Sequence, residues 1–126
     1  MAGHSVIVKP ISARIPMSLY EQAAPIVKAM NGPSWGQLVA WACELHMAEV
    51  LARIEQAATV DPRAPRGHNR IAAGGQLISA RVTDVELAAI QRTREHAIHD
   101  LGIDPTNTAL VIAGLTVGAR VVGSDR

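Results

Sequence analysis

Two arginines, Arg14 and Arg81, hold the same place in a repeated pentapeptide, Ile11-Ser12-Ala13-Arg14-Ile15 and Ile78-Ser79-Ala80-Arg81-Val82. Each copy is apolar at every second position, with Ser and Arg between, which is the alternation of a half-buried β-strand. On such a strand the serine and the arginine share the face turned away from the core. A guanidinium can donate two parallel hydrogen bonds to one planar edge, as to O6 and N7 of guanine, and a hydroxyl can donate or accept. A lone strand arginine is most simply a solvated charge. Its return in the same setting argues for a shared contact.

Other reactive groupings are thin. Cys43 and His46 stand three apart, as do His96 and His99. That is ligand spacing on a helix, but neither pair has a third or fourth ligand in sequence, so all four are read as plain helix residues. No nucleophile pairs with a base, and no carboxylate pair or phosphate-cradling loop assembles. Gly74-Gly75 precedes a strand, the wrong order for a dinucleotide fingerprint. The expectation is a protein that is not an enzyme and carries no cofactor or metal.

The elements that must position the two strands are also written twice. From Val6 to Ile15 the chain is β-prone, and Pro10 within it fits an edge strand, whose missing donor can face outward. Met17 to Met30 is a helix candidate, with Ser18 and Glu21 spaced as a capping box and Leu19, Ala23, Ile26, Val27 and Met30 on one face. Pro25 conflicts with it, by kinking or shortening the helix. Asn31-Gly32-Pro33 is a stop. Ser34 then caps a helix expected from Trp35 to about Ala58, with Leu38, Trp41, Ala42, Leu45, Ala48 and Leu51 at helical spacing. The tryptophans, Trp35 and Trp41, are expected in the core or at an interface.

Residues 59–76 hold Asp61-Pro62, Ala64-Pro65, Arg66-Gly67 and Gly74-Gly75 and read as a linker. Its Arg63, Arg66 and Arg70 are expected to be solvated. The second unit, 77–122, repeats the first, 6–58. Thr83 with Glu86 forms a capping box, and the helix it starts, with Leu87, Ile90, Ala97, Ile98 and Leu101 on one face, runs to Leu101, where Gly102 stops it. Thr106 caps a last helix to about Val122. Leu110 and Val111 fall where Leu38 and Val39 fall in the first unit. This last helix has almost no polar face, so something must cover most of its circumference.

At 126 residues, rich in aliphatic side chains and with no Phe, the chain can bury a core suited to closely crossing helices. Twelve basic against eleven acidic residues give a net charge of +1, so any electrostatic footprint must be local. One cysteine excludes an intrachain disulfide framework. Residues 1–5 lack the charged and apolar regions of a signal peptide, and no apolar run spans a bilayer. A cytoplasmic protein with no membrane contact is expected.

Neither strand can satisfy its backbone alone, but the two can pair with each other. Antiparallel pairing centred on Ser12 opposite Ser79 sets Arg14 opposite Leu77 and Arg81 opposite Pro10. Ile11, Ala13, Ile15, Ile78, Ala80 and Val82 then face the helices. A slip of one residue would bury both arginines, so the register is strongly specified.

A strand with Ser and Arg outward, then two helices, the second opened by Gly/Pro-Ser/Thr, resembles the ribbon-helix-helix DNA-binding family, of the Arc and methionine repressor type. The resemblance covers about 10–58 and 77–122. It implies a mainly α fold with a short antiparallel β-ribbon, two tandem ribbon-helix-helix copies forming an intramolecular pseudo-dimer. It further implies that the ribbon enters the major groove of double-stranded DNA. The base readers would be Pro10, Ser12, Arg14, Leu77, Ser79 and Arg81. Phosphates would be held by backbone N–H groups at Ser34 and Trp35, and at Thr106 and Asn107. Pro10 and Leu77 depart from the family in lacking a hydrogen-bonding side chain, though either can contact a thymine methyl. The implied use is transcriptional repression in a bacterium or phage, by a cytoplasmic, nucleoid-associated protein. The alternatives are an accessory DNA-binding protein of plasmid transfer, or a protein-interaction module of the same fold. The apolar last helix adds the expectation of self-association.

Overall fold

The computed structural model describes residues 9–60 and 75–124. Strand β1 (Lys9–Ile15) leads into α1 (Met17–Val27), α2 (Trp35–Leu45) and α3 (Met47–Val60). Strand β2 (Gln76–Val82) leads into α4 (Asp84–His96), extended by a π turn over Ala97–Leu101, and then α5 (Asn107–Ser124). The first strand's expected start at Val6 and the linker from 61 to 74, with Arg63, Arg66 and Arg70, lie outside the described residues. Helix α3 runs two residues past the expected linker boundary.

The strands form a two-stranded antiparallel ribbon in the expected register, with Ser12 opposite Ser79, Arg14 opposite Leu77 and Arg81 opposite Pro10. The alternation explains it. Ala13, Ile15, Ile78, Ala80 and Val82 are buried and Ile11 is half-buried, while every residue between them is exposed. Pro10 is accommodated because each strand of a two-stranded ribbon is an edge.

The first helix begins at Met17 as expected, but departs from expectation in its cap and its end. It starts directly after Pro16, whose extended backbone makes it the cap residue, with no side-chain cap hydrogen bond. Ser18 therefore lies inside the first turn and cannot form a capping box with Glu21, since a cap residue must sit outside the helix. Pro25 stays in the helix, which closes two residues later at Val27. Met30 falls beyond that end and is 92% exposed rather than on the apolar face. Leu19, Ala23 and Ile26 are buried as expected.

The single helix expected from Trp35 to Ala58 is two. His46 leaves helical geometry (φ −136°, ψ 39°) while its N–H still bonds to the Ala42 carbonyl. Its own carbonyl accepts from Glu49 and Val50 N–H at 3.0 and 3.1 Å and so starts α3. The break swings α3 onto α5 and buries Val50 and Ile54 completely. Each buried aliphatic side chain contributes roughly 1.5–3 kcal/mol, enough to outweigh one lost helical turn. Leu45, left on the outside of the bend, is 70% exposed, and Trp41 is also exposed.

Helix α4 has its capping box, with Glu86 N–H donating to Thr83 Oγ1 and Thr83 N–H to Glu86 Oε1. Its expected apolar face holds at Ile90 and Ala97, both buried, while Ile98 is exposed. Gly102 ends the element in the left-handed region (φ 68°), and the N–H of Ile103 returns to the Ala97 carbonyl at 3.2 Å. An alanine there would pay the left-handed backbone cost of about 1–2 kcal/mol. Gly102→Ala should therefore lower the unfolding free energy by that amount, read as a lower urea midpoint at unchanged slope.

Helix α5 is the centre of the core. Leu110, Val111, Leu115 and Val117 are buried against α1, α2, α3 and β1, with Leu38 and Val39 of α2 likewise inaccessible. The cover that its apolar surface demands is supplied by the chain itself. Ile112, Val121 and Val122 on the same helix are only half-buried. No helix among the described residues is long and apolar enough to cross a membrane.

Candidate functional site

The ribbon presents six side chains on its outer face. Pro10, Ser12 and Arg14 of β1, and Leu77, Ser79 and Arg81 of β2, are all exposed. The register sets the two serines opposite each other at the centre and the arginines at diagonal corners. Four residues of strand separate the arginines along the ribbon, roughly 13 Å at the usual rise. The remaining corners are apolar, with Leu77 55% exposed.

The arginines are not equivalent. Arg14 Nη1 donates to the carbonyl of Gly75, just ahead of β2, at 2.7 Å. Arg81 makes no hydrogen bond or ion pair with a described residue. Its backbone, by contrast, is tightly engaged. A Cβ added at Gly36, in the first turn of α2, would lie 2.0 Å from the Arg81 carbonyl oxygen. Glycine at 36 therefore lets the N-terminus of α2 rest directly on the strand that carries Arg81.

That N-terminus is closed by a reciprocal capping box. Ser34 N–H donates to Gln37 Oε1 at 2.9 Å, and Gln37 N–H to Ser34 Oγ at 3.1 Å. The Ser34 N–H is thus already partnered, while Trp35, in the first turn, is one of the positions whose N–H has no intrahelical acceptor. The Trp35 ring is half-buried and stacks on Tyr20 at 5.7 Å between centroids. The Tyr20 hydroxyl accepts from Lys28 Nζ at 3.1 Å, which brings a cation to this end of α2. Removing the cap by Ser34→Ala should cost about 1 kcal/mol in thermal or urea unfolding.

At the start of α5, Thr106 Oγ1 accepts the Ala109 N–H at 3.0 Å. Here too a cation is present. Arg94, from α4, donates to Asp104 Oδ1, to the Pro105 carbonyl and to Asn107 Oδ1. Lys28, Tyr20 and Arg94 were not singled out by sequence reasoning, because nothing in their spacing ties them to helix starts that only the fold brings close. Gln37 was legible, three residues after Ser34 as the capping box requires.

The His and Cys pairs do not converge. Cys43 is buried, and desolvation pushes its thiol up despite the neighbouring Thr93 side chain, which pulls the other way. His46 Nδ1 faces Glu49 at 3.7 Å, and His96 Nδ1 faces Asp100 at 3.3 Å. Among the described residues no group of three or more His, Cys, Asp or Glu is placed to hold a metal ion.

No protein-family model matches the chain, and no curated protein or solved structure is significantly similar to it.

Proposed function

We propose that this chain binds double-stranded DNA with sequence preference, as a tandem ribbon-helix-helix protein whose two strands come from one polypeptide. The observation that carries this reading is the ribbon register, which turns Pro10, Ser12, Arg14, Leu77, Ser79 and Arg81 outward together. A two-stranded ribbon fits the major groove, roughly 12 Å wide. Arg14 and Arg81 at its diagonal corners would each take a guanine edge, and Ser12 and Ser79 would make the tolerant central contacts. Pro10 and Leu77 offer only apolar contact, so the preferred site is nearly, not fully, palindromic.

Backbone phosphates would be held on either side of the ribbon by the starts of α2 and α5. At α2 the Ser34 N–H is taken by Gln37, so the contact falls to Trp35 N–H with help from Lys28. At α5 the contact falls to Thr106 and Asn107 N–H, beside Arg94. Helix N-termini attract phosphate without requiring a strongly basic chain, which suits a net charge of +1. The use that best fits this readout is transcriptional repression by operator occupancy. The pseudo-dimer needs no second copy for it, because both strands of the ribbon are intramolecular.

Titration of a fluorescent mixed-sequence duplex, followed by anisotropy across a salt series, tests DNA binding itself. Affinity should fall linearly on a log–log plot, with a slope near −0.9 for each phosphate neutralised. A folded protein that leaves the duplex unbound at low salt would contradict the proposal.

A further inference from the structure

A groove of about 560 Å³, with no ribbon residue in its lining, opens between α1, α3 and α5. It exists because its floor is small and one wall is short. Ala119 and Gly123 of α5 form the floor, and a Cβ at Gly123 would meet no atom within 4 Å. Helix α1 stops at Val27, just after contributing Pro25 and Ile26 to the wall.

The chemistry of the lining is one-sided. Arg53 of α3 and Arg120 of α5 both line it, Gln22 adds an amide, and no Asp or Glu takes part. Arg120 is held by Glu49, which fixes its guanidinium in place. Arg53 makes no hydrogen bond or ion pair with a described residue. Arg53, which no described carboxylate pairs with, stands beside an arginine already paired with Glu49 and is a ready partner for a carboxylate. The apolar wall and floor ask for more than a bare ion, and the volume lies within the range of small-molecule sites.

We infer that this groove binds a small organic anion, its carboxylate on Arg53 and its apolar body against Pro25, Ile26 and Ala119. The site is independent of the ribbon, and its test uses no DNA. The full chain, isotopically labelled, is titrated with indole-3-acetate while amide chemical shifts are followed. Saturable shifts should appear at Gln22, Arg53, Ala119 and Gly123. Tryptamine, the same ring on a cationic chain, should leave those amides unmoved, and inorganic phosphate should move them only weakly. Arg53→Gln should weaken the response by roughly tenfold or more, as loss of a charge-assisted hydrogen bond requires. Gly123→Leu, which fills the floor, should abolish it while amides elsewhere keep their shifts. Absence of saturation with indole-3-acetate, an equal response to tryptamine or phosphate, or an unchanged response in Arg53→Gln would each overturn the inference.

Discussion

Replacing both Arg14 and Arg81 with alanine should erase sequence preference while leaving the fold intact. A bidentate arginine–guanine contact is worth roughly 1–3 kcal/mol of discrimination, so the pair carries on the order of thirtyfold to twenty-five-thousandfold in specific affinity. Both side chains are exposed, and neither fills any part of the core. Among the described residues, the double substitution removes one exposed hydrogen bond, from Arg14 to the Gly75 carbonyl. Surface changes of that kind alter stability by about 0.5 kcal/mol or less. Circular dichroism and the urea midpoint should therefore be unchanged, and residual binding should be equal on specific and mixed-sequence duplexes. The single mutants should differ. Arg81, with no tether among the described residues, should lose more on alanine substitution than Arg14, whose guanidinium must first leave Gly75 to read a base.

Gly36→Ala should do the opposite, damaging the fold first. The new Cβ would lie 2.0 Å from the Arg81 carbonyl oxygen, 2.8 Å from its carbon and 2.9 Å from Val82 Cγ1. Two of those three atoms are backbone, so relief requires α2 and β2 to separate rather than a side chain to turn. Overpacking of this kind costs about 1–3 kcal/mol, and the rigidity of a strand carbonyl places this case at the upper end. Urea unfolding should show a lowered midpoint. Because the start of α2 rests on the Arg81 strand, the same substitution alters the spacing between the proposed phosphate contact and the proposed base readers. DNA affinity should fall beyond what unfolding alone accounts for, measured at a temperature where the variant is folded.

The ribbon could be read from the chain because its information is local and redundant. Five residues alternate with period two, the pentapeptide is repeated, and one register alone turns its apolar positions to the core and exposes both arginines. The Thr83–Glu86 box and the Gly102 stop were legible for a similar reason, since each is set by side chains within one turn of the boundary. The break at His46 was not. No glycine or proline marks it, and it is decided by the burial of Val50 and Ile54 against α5, a helix more than fifty positions further along. Ser18 and Glu21 had correct capping spacing two residues too late, because Pro16 had already begun the helix. The last helix was rightly seen to need cover. That the rest of the chain provides it depends on how α1, α2, α3 and β1 close around it, which no local pattern encodes. In the outer face, the six ribbon residues were legible by alternation. The cations near the two helix starts, Lys28 and Arg94, depend on contacts eight to thirteen residues distant, across turns whose geometry the sequence does not specify.

Selection from a randomised duplex library at near-physiological salt, with wild type and the Arg14→Ala/Arg81→Ala protein in parallel, tests ribbon readout most directly. The wild type alone should enrich one nearly palindromic site. Failure of the folded wild type to enrich any sequence, or enrichment of the same site by both proteins, would contradict base reading by the ribbon.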